Sequence, residues 1–149
     1  MGNVNNLIAQ IKSERKKFNL DIPKPIETTL INDFINHYKD IFKVELTPNY
    51  LSFLKICDGL VENGFTIYSS YDHTIKKVEY GIFENNETWA DINPNLKFIY
   101  FGESDQDLYA YNKVSKEYEV LDRYSSDVCE SFDNFELLLE HILEKMLNT

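Results

Sequence analysis

Along the first third of the chain, apolar residues return every three or four positions. Val4, Leu7, Ile8, Ile11 and Phe18 recur at that spacing, while Lys12, Arg15 and Lys16 fall largely on other sides. This predicts an amphipathic opening helix. The segment Asp21-Ile22-Pro23-Lys24-Pro25 ends it, because proline cannot continue a helix and restricts the residue before it. A second helix is predicted over 25–42, with Ile26, Leu30, Phe34, Tyr38 and Ile41 as its apolar stripe and Pro25 in its first turn. For the third, Thr47 can cap, Pro48 suits the first helical position, and Gly59 supplies a left-handed residue to end it. Leu51, Phe53 and Leu54 face inward within it, with Ile56 nearby.

After Gly64 the period falls to two. Residues 65–71, 78–83, 96–102, 107–113 and 117–122 read as strands rich in β-branched and aromatic residues. Short connections make successive strands antiparallel, since a parallel return needs a long crossover. Residues 84–95 show no decisive period. A closing helix starts at Ser131 or Asp133, where Asp133 and Glu136 form a capping box and Phe132 can staple against Leu137. Phe135, Leu138, Leu139, Ile142 and Met146 then give it one apolar face. Blocks of helices and strands, without βαβ alternation, predict an α+β fold with N-terminal helices and a C-terminal helix packed on one antiparallel sheet of about five to six strands. A single domain over 1–149 is expected, with residues 1–20 as an N-terminal helix that could sit at its periphery.

Composition supports a folded core. The chain is 43% hydrophobic and 14% aromatic, with only five Gly and four Pro, which excludes a disordered chain or long linkers. Charge adds a direction. The net charge is −10, but residues 1–55 carry +2 and residues 56–149 carry −12. Such an acidic half repels nucleic acid and anionic membranes and steers basic partners, although acidity also serves plain solubility. No stretch approaches the ~20 apolar residues of a membrane span. No signal-peptide run is visible near the N-terminus, and the Met-Gly start has Asn6 where a myristoylation site has Ser or Thr. Cys57 and Cys129 lie far apart and read as buried thiols in a reducing compartment, so cytoplasm is expected.

The search for chemistry points away from an enzyme. Gly102-Glu103-Ser104-Asp105-Gln106 resembles a nucleophile elbow, but Gln106 replaces the second Gly and a hairpin turn follows instead of a helix. His37, His73 and His141 are scattered. Glu103, Asp105 and Asp107 alternate as in a calcium loop, yet Leu108 stands where such a loop needs Gly and Val114 where it needs Glu. No metal and no cofactor are expected. Most buried Tyr and Trp are core residues, but exposed ones anchor protein interfaces. Trp89, Glu103, Asp105, Asp107, Tyr109 and Tyr111 are therefore candidate partner-binding residues, aromatic anchors rimmed by carboxylates that suit a basic protein.

Taken together, several segments resemble one superfamily. Leu46-Thr47-Pro48-Asn49-Tyr50-Leu51-Ser52-Phe53-Leu54-Lys55, closing on Asp58-Gly59-Leu60, is similar to the helix-to-glycine signature of SUKH domains. That superfamily includes the Smi/Knr-type cell-wall assembly regulators of fungi and many bacterial immunity proteins. The strand Phe65-Thr66-Ile67-Tyr68-Ser69, Phe101-Gly102-Glu103-Ser104, the strand 107–112, and Ser131-Phe132 with the Leu-rich helix after it resemble the family in order and spacing. The resemblance covers residues 20–147 and looks closest to the bacterial YrhA-like branch. Asn112 stands where many members have Asp, and Ser115 and Lys116 where they have a turn Gly. The resemblance implies helices against an antiparallel sheet and an immunity protein that binds and neutralises a contact-delivered or polymorphic toxin, such as a basic nuclease. The fungal members imply the alternative, a housekeeping regulator or scaffold with no toxin partner. Monomer and weak dimer both stay open.

Overall fold

The computed structural model describes residues 1–71, 80–92, 94 and 97–148. His73, Val78 and Glu79 of the predicted strand 78–83, Asn93, Asn95, and Leu96 of the predicted strand 96–102 lie outside these residues. The elements run α1 (Gly2–Lys16), a 3₁₀ turn (Thr28–Leu30) into α2 (Ile31–Phe42), α3 (Pro48–Leu54), β1 (Leu60–Glu62), β2 (Phe65–Ile67), α4 (Ile82–Ile92), β3 (Phe98–Glu103), β4 (Asp107–Asn112), β5 (Glu117–Asp122), β6 (Val128–Phe132) and α5 (Phe135–Leu147). The fold is α+β, with all six strands in one antiparallel sheet in chain order.

Alternation along the strands assigns the two faces. One face packs on α5, whose Phe135 ring lies 5.0 Å from Phe101, 5.5 Å from Tyr50 of α3 and 5.8 Å from Tyr118. Helix α1 buries Val4, Leu7, Ile8 and Ile11 and packs on α5, so it belongs to the core and not to a periphery. The other face carries α4, which crosses β3 with Trp89 against Tyr100.

Helix α4 occupies residues where a strand (78–83) and an undecided stretch (84–95) were predicted. Gly81 makes an isolated parallel bridge to Ser69 in place of a strand, and Ile82 already opens the helix. The reason lies at β3. Strand β2 meets β3 only at Thr66↔Glu103 and Ile67↔Gly102, which leaves the Tyr100 backbone without a strand on that side. Asn86 of α4 takes the strand's place: its Oδ1 accepts from the Tyr100 N–H at 2.8 Å and its Nδ2 donates to the Tyr100 carbonyl at 2.8 Å. A side-chain amide here does the work of a peptide group, and the helix follows from the need to aim it.

Other boundaries moved for local reasons. Helix α2 begins at Ile31, because the Ile26 N–H is bonded to the Leu54 carbonyl at 2.9 Å and holds that segment against α3. Helix α3 stops at Leu54, and Gly59, at φ 84°, instead turns the chain from Cys57 into β1. Thr47 makes no side-chain cap; its hydroxyl meets the Tyr118 phenol. The cap of α5 is Asn134, which accepts from the Leu137 N–H at 3.0 Å, one residue beyond the predicted Asp133. Strands β1 and β6 were not predicted. Of the cysteines, Cys57 is buried and burial pushes its thiol up to about 12, whereas Cys129 is exposed on β6, contrary to expectation. No helix among the described residues is long and apolar enough to cross a membrane.

Candidate functional site

Antiparallel order brings the end of β3, both ends of the β3–β4 turn, the end of β5 and the start of β6 to one end of the sheet. This end gathers Glu103, Asp105, Asp107, Asp122 and Asp127, and Arg123 is the one cation in the segments 103–108 and 121–128. Asp107 stands directly opposite Asp122 in register. Like charges at such a cross-strand pair repel one another.

The turns that carry these carboxylates are tightly made. The Ser104 N–H donates to the Asp107 carbonyl at 2.8 Å, and the Asp107 N–H donates to Ser104 Oγ at 3.1 Å. Ser104 is thereby a turn residue. Asp122 accepts from the N–H groups of Ser125 and Tyr124, each at 2.9 Å, and these two bonds hold its carboxyl below the ordinary value of 3.8. The carboxylates of Asp105 and Asp107 have no hydrogen-bond partner among the described residues.

Behind the turns sits a closed ring of contacts. The Trp89 indole N–H donates to the Tyr68 hydroxyl at 3.0 Å, and that hydroxyl donates to Glu103. Arg123 pairs with Glu103 at 3.4 Å, donates to the Ser104 carbonyl at 2.8 Å, and lays its guanidinium 5.0 Å from the Trp89 ring. Burial pushes the Tyr68 phenol well up, and the Glu103 charge pushes it further, so Tyr68 stays a donor to that carboxylate. Arg123 ties the two acidic turns to α4 through one side chain, which only a planar, multi-donor guanidinium can do.

Of the six predicted residues, Trp89, Glu103, Asp105 and Asp107 come together here. Tyr109 does not: it points to the face that packs on α5, its ring 6.3 Å from His141, is 0% exposed, and burial pushes its phenol up to about 12. It cannot be a surface anchor. Tyr111 is half-buried on that same face, 4.8 Å from Tyr118 and toward the opposite end of β4. The aromatic that sequence reasoning passed over is Tyr124, 84% exposed, whose hydroxyl donates to the Asp105 carbonyl at 3.5 Å. Its signal was a lone aromatic inside the polar run Asp122-Arg123-Tyr124-Ser125-Ser126-Asp127, with no apolar partner two residues away on the turn side.

The arrangement can attract and orient cations on a rigid platform. Among the described residues, no group of three or more His, Cys, Asp or Glu side chains could hold a metal ion. Compared with known proteins, the chain matches no family model and no curated sequence.

Proposed function

We propose that the chain is a non-enzymatic binding module whose acidic end, with Tyr124 at its centre, docks a basic protein. The observation that carries this reading is the Asp107–Asp122 pair. Two carboxylates in cross-strand register, flanked by exposed Asp105 and Asp127, concentrate like charge at one end of the sheet, which solubility alone does not require. A basic partner is drawn to that concentrated charge, and the same field speeds the encounter. Tyr124 offers the large, low-entropy contact typical of an interface anchor.

The resemblance to SUKH domains sharpens the proposal. The partner is then a toxin with a basic surface, such as a nuclease, and the chain is its cytoplasmic immunity protein in a bacterial cell. Support comes from the α+β architecture, with helices on an antiparallel sheet, and from the segregated acidity, which suits an inhibitor of an enzyme that grips polyanions.

The test begins with affinity capture from the source cell and identification of any basic protein released by salt. Association of that protein is then timed against the parent chain, the Asp105→Asn/Asp107→Asn double variant and Tyr124→Ala. Neutralisation is expected to slow association by about tenfold at low ionic strength and to flatten its salt dependence, while Tyr124→Ala speeds dissociation. Equal association rates at low salt would remove the acidic end from the interface. Co-expression of the captured protein should arrest growth unless the chain is present; growth without it sinks the immunity reading and leaves the binding reading standing.

A further inference from the structure

The opposite end of the sheet has a different character. There the end of α2, helix α4, the start of β3 and the residue after β4 enclose a cleft of about 500 Å³. Phe42, Phe83, Ala90, Phe98 and Tyr100 make its walls, and Ile41, 52% exposed, extends the apolar surface to the mouth. Its walls are mutually braced: the Phe42 and Phe83 rings stack at 5.8 Å, and His37 meets Phe83 edge-on at 4.3 Å. The amide in its floor, Asn86, is spent on the Ile82 and Tyr100 backbone, so it offers nothing to an occupant.

Polar groups lie at the rim instead. Lys113 contributes its ammonium, held 3.4 Å from the Phe42 carbonyl. Glu87 is the opposing charge on the rim. The volume lies within the roughly 300–1,000 Å³ typical of small-molecule sites, and a mostly apolar wall with few polar groups at one edge is their usual chemistry.

We infer that this cleft is a second binding site, one that takes a small amphipathic carboxylate with its apolar body on the rings of Phe83, Phe98 and Tyr100 and its head group at Lys113. The site is separate from the acidic end and does not depend on the partner proposed there. Charge selects the head group: a carboxylate meets the Lys113 ammonium in a chain that is otherwise acidic, and Glu87 works against it.

Decanoate is the probe, with decanol as its neutral counterpart, both titrated into the full chain and followed by amide NMR shifts. Saturable decanoate binding is expected, with shifts at Ile41, Ala90, Phe98 and Lys113, and decanol weaker by about fivefold. Lys113→Gln should abolish that preference, and Glu87→Gln should increase decanoate affinity without changing decanol. Ala90→Phe fills the cleft and should abolish binding of both. Should Ala90→Phe fail to fold, Ile41→Glu at the exposed mouth replaces it and should weaken decanoate by about tenfold. The inference is overturned by no saturable shift up to about 1 mM decanoate, by shifts centred elsewhere, or by binding indifferent to the cleft-filling and charge variants.

Discussion

The two ends of one sheet are built to opposite recipes. At the acidic end the exposed large apolar side chains of segments 103–108 and 121–128 are Tyr124 and Val128, the turns are locked by backbone bonds, and one cation, Arg123, lies among five carboxylates and pairs with Glu103. At the lysine end the exposed groups surround an apolar cleft, and the brace is a neutral amide, Asn86, buried against β3. The net charge of −10 is therefore not a uniform coat. Strand reversal collects acids from two separate segments at one end, while Lys97, Lys113 and Lys116 collect at the other. A uniform coat would only repel copies of the chain from one another, whereas a polarised one orients whatever approaches it.

If the braces are as unlike as they look, breaking them should cost unlike amounts. The largest effect is expected from Asn86→Ala. It orphans the Tyr100 N–H and carbonyl in a buried site, a loss of about 2–4 kcal/mol by urea unfolding. A loss below about 1 kcal/mol would mean that water reaches β3 there and that Asn86 is no strand substitute. Next comes Gly102→Ala at the acidic end. The added Cβ would fall on the Thr66 carbonyl of the neighbouring strand, and strands of this sheet cannot part without losing the pairing, so about 1–3 kcal/mol is expected. Arg123→Ala should cost about 1–2 kcal/mol, through the lost bond to Ser104, the pair with Glu103 and the stacking on Trp89. Its counterpart Lys113→Ala should fall within about 0.5 kcal/mol, because its ammonium makes one long contact at the surface. Equal losses for the two cations would erase the contrast.

The same contrast explains what could be read from the chain alone. Strands β3, β4 and β5 announce themselves because they lie in the middle of the sheet, where both faces demand large side chains and Phe98 to Phe101 are all buried. The edge strand β6 is nearly all exposed, so Val128-Cys129-Glu130-Ser131 carries no alternation to read. Helix α4 hid for a related reason: its deepest residue toward β3 is Asn86, polar, so the period of three to four loses a member at its centre. Three carboxylates of the acidic end were visible as Glu103, Asp105 and Asp107, since they sit in one turn. Asp122 and Asp127 join them only through strand register, which no spacing within the chain displays. Tyr109 was misplaced because alternation says which residues share a face but not how deeply a helix covers each of them.

The smallest expected effect tests whether the acidic end is strained by its own charge. Asp122 is held below its ordinary value of 3.8 first by the Ser125 N–H and then by the Tyr124 N–H. A carboxyl depressed in the folded state stabilises the fold above its unfolded value, and that contribution is lost as pH falls through the lower folded value. The melting temperature of the parent chain should therefore decline below about pH 4 more steeply than that of Asp122→Asn, which keeps an acceptor for the turn but has no proton to gain. At neutral pH two forces oppose in the parent chain: the charge strengthens the turn and meets Asp107 across the strands. Because the carboxyl is held low, the turn outweighs that repulsion, so Asp122→Asn should melt lower at pH 7 and the two curves should draw together in acid. A variant that melts higher at pH 7, with a parent curve that declines less steeply in acid, would mean that repulsion from Asp107 outweighs the turn.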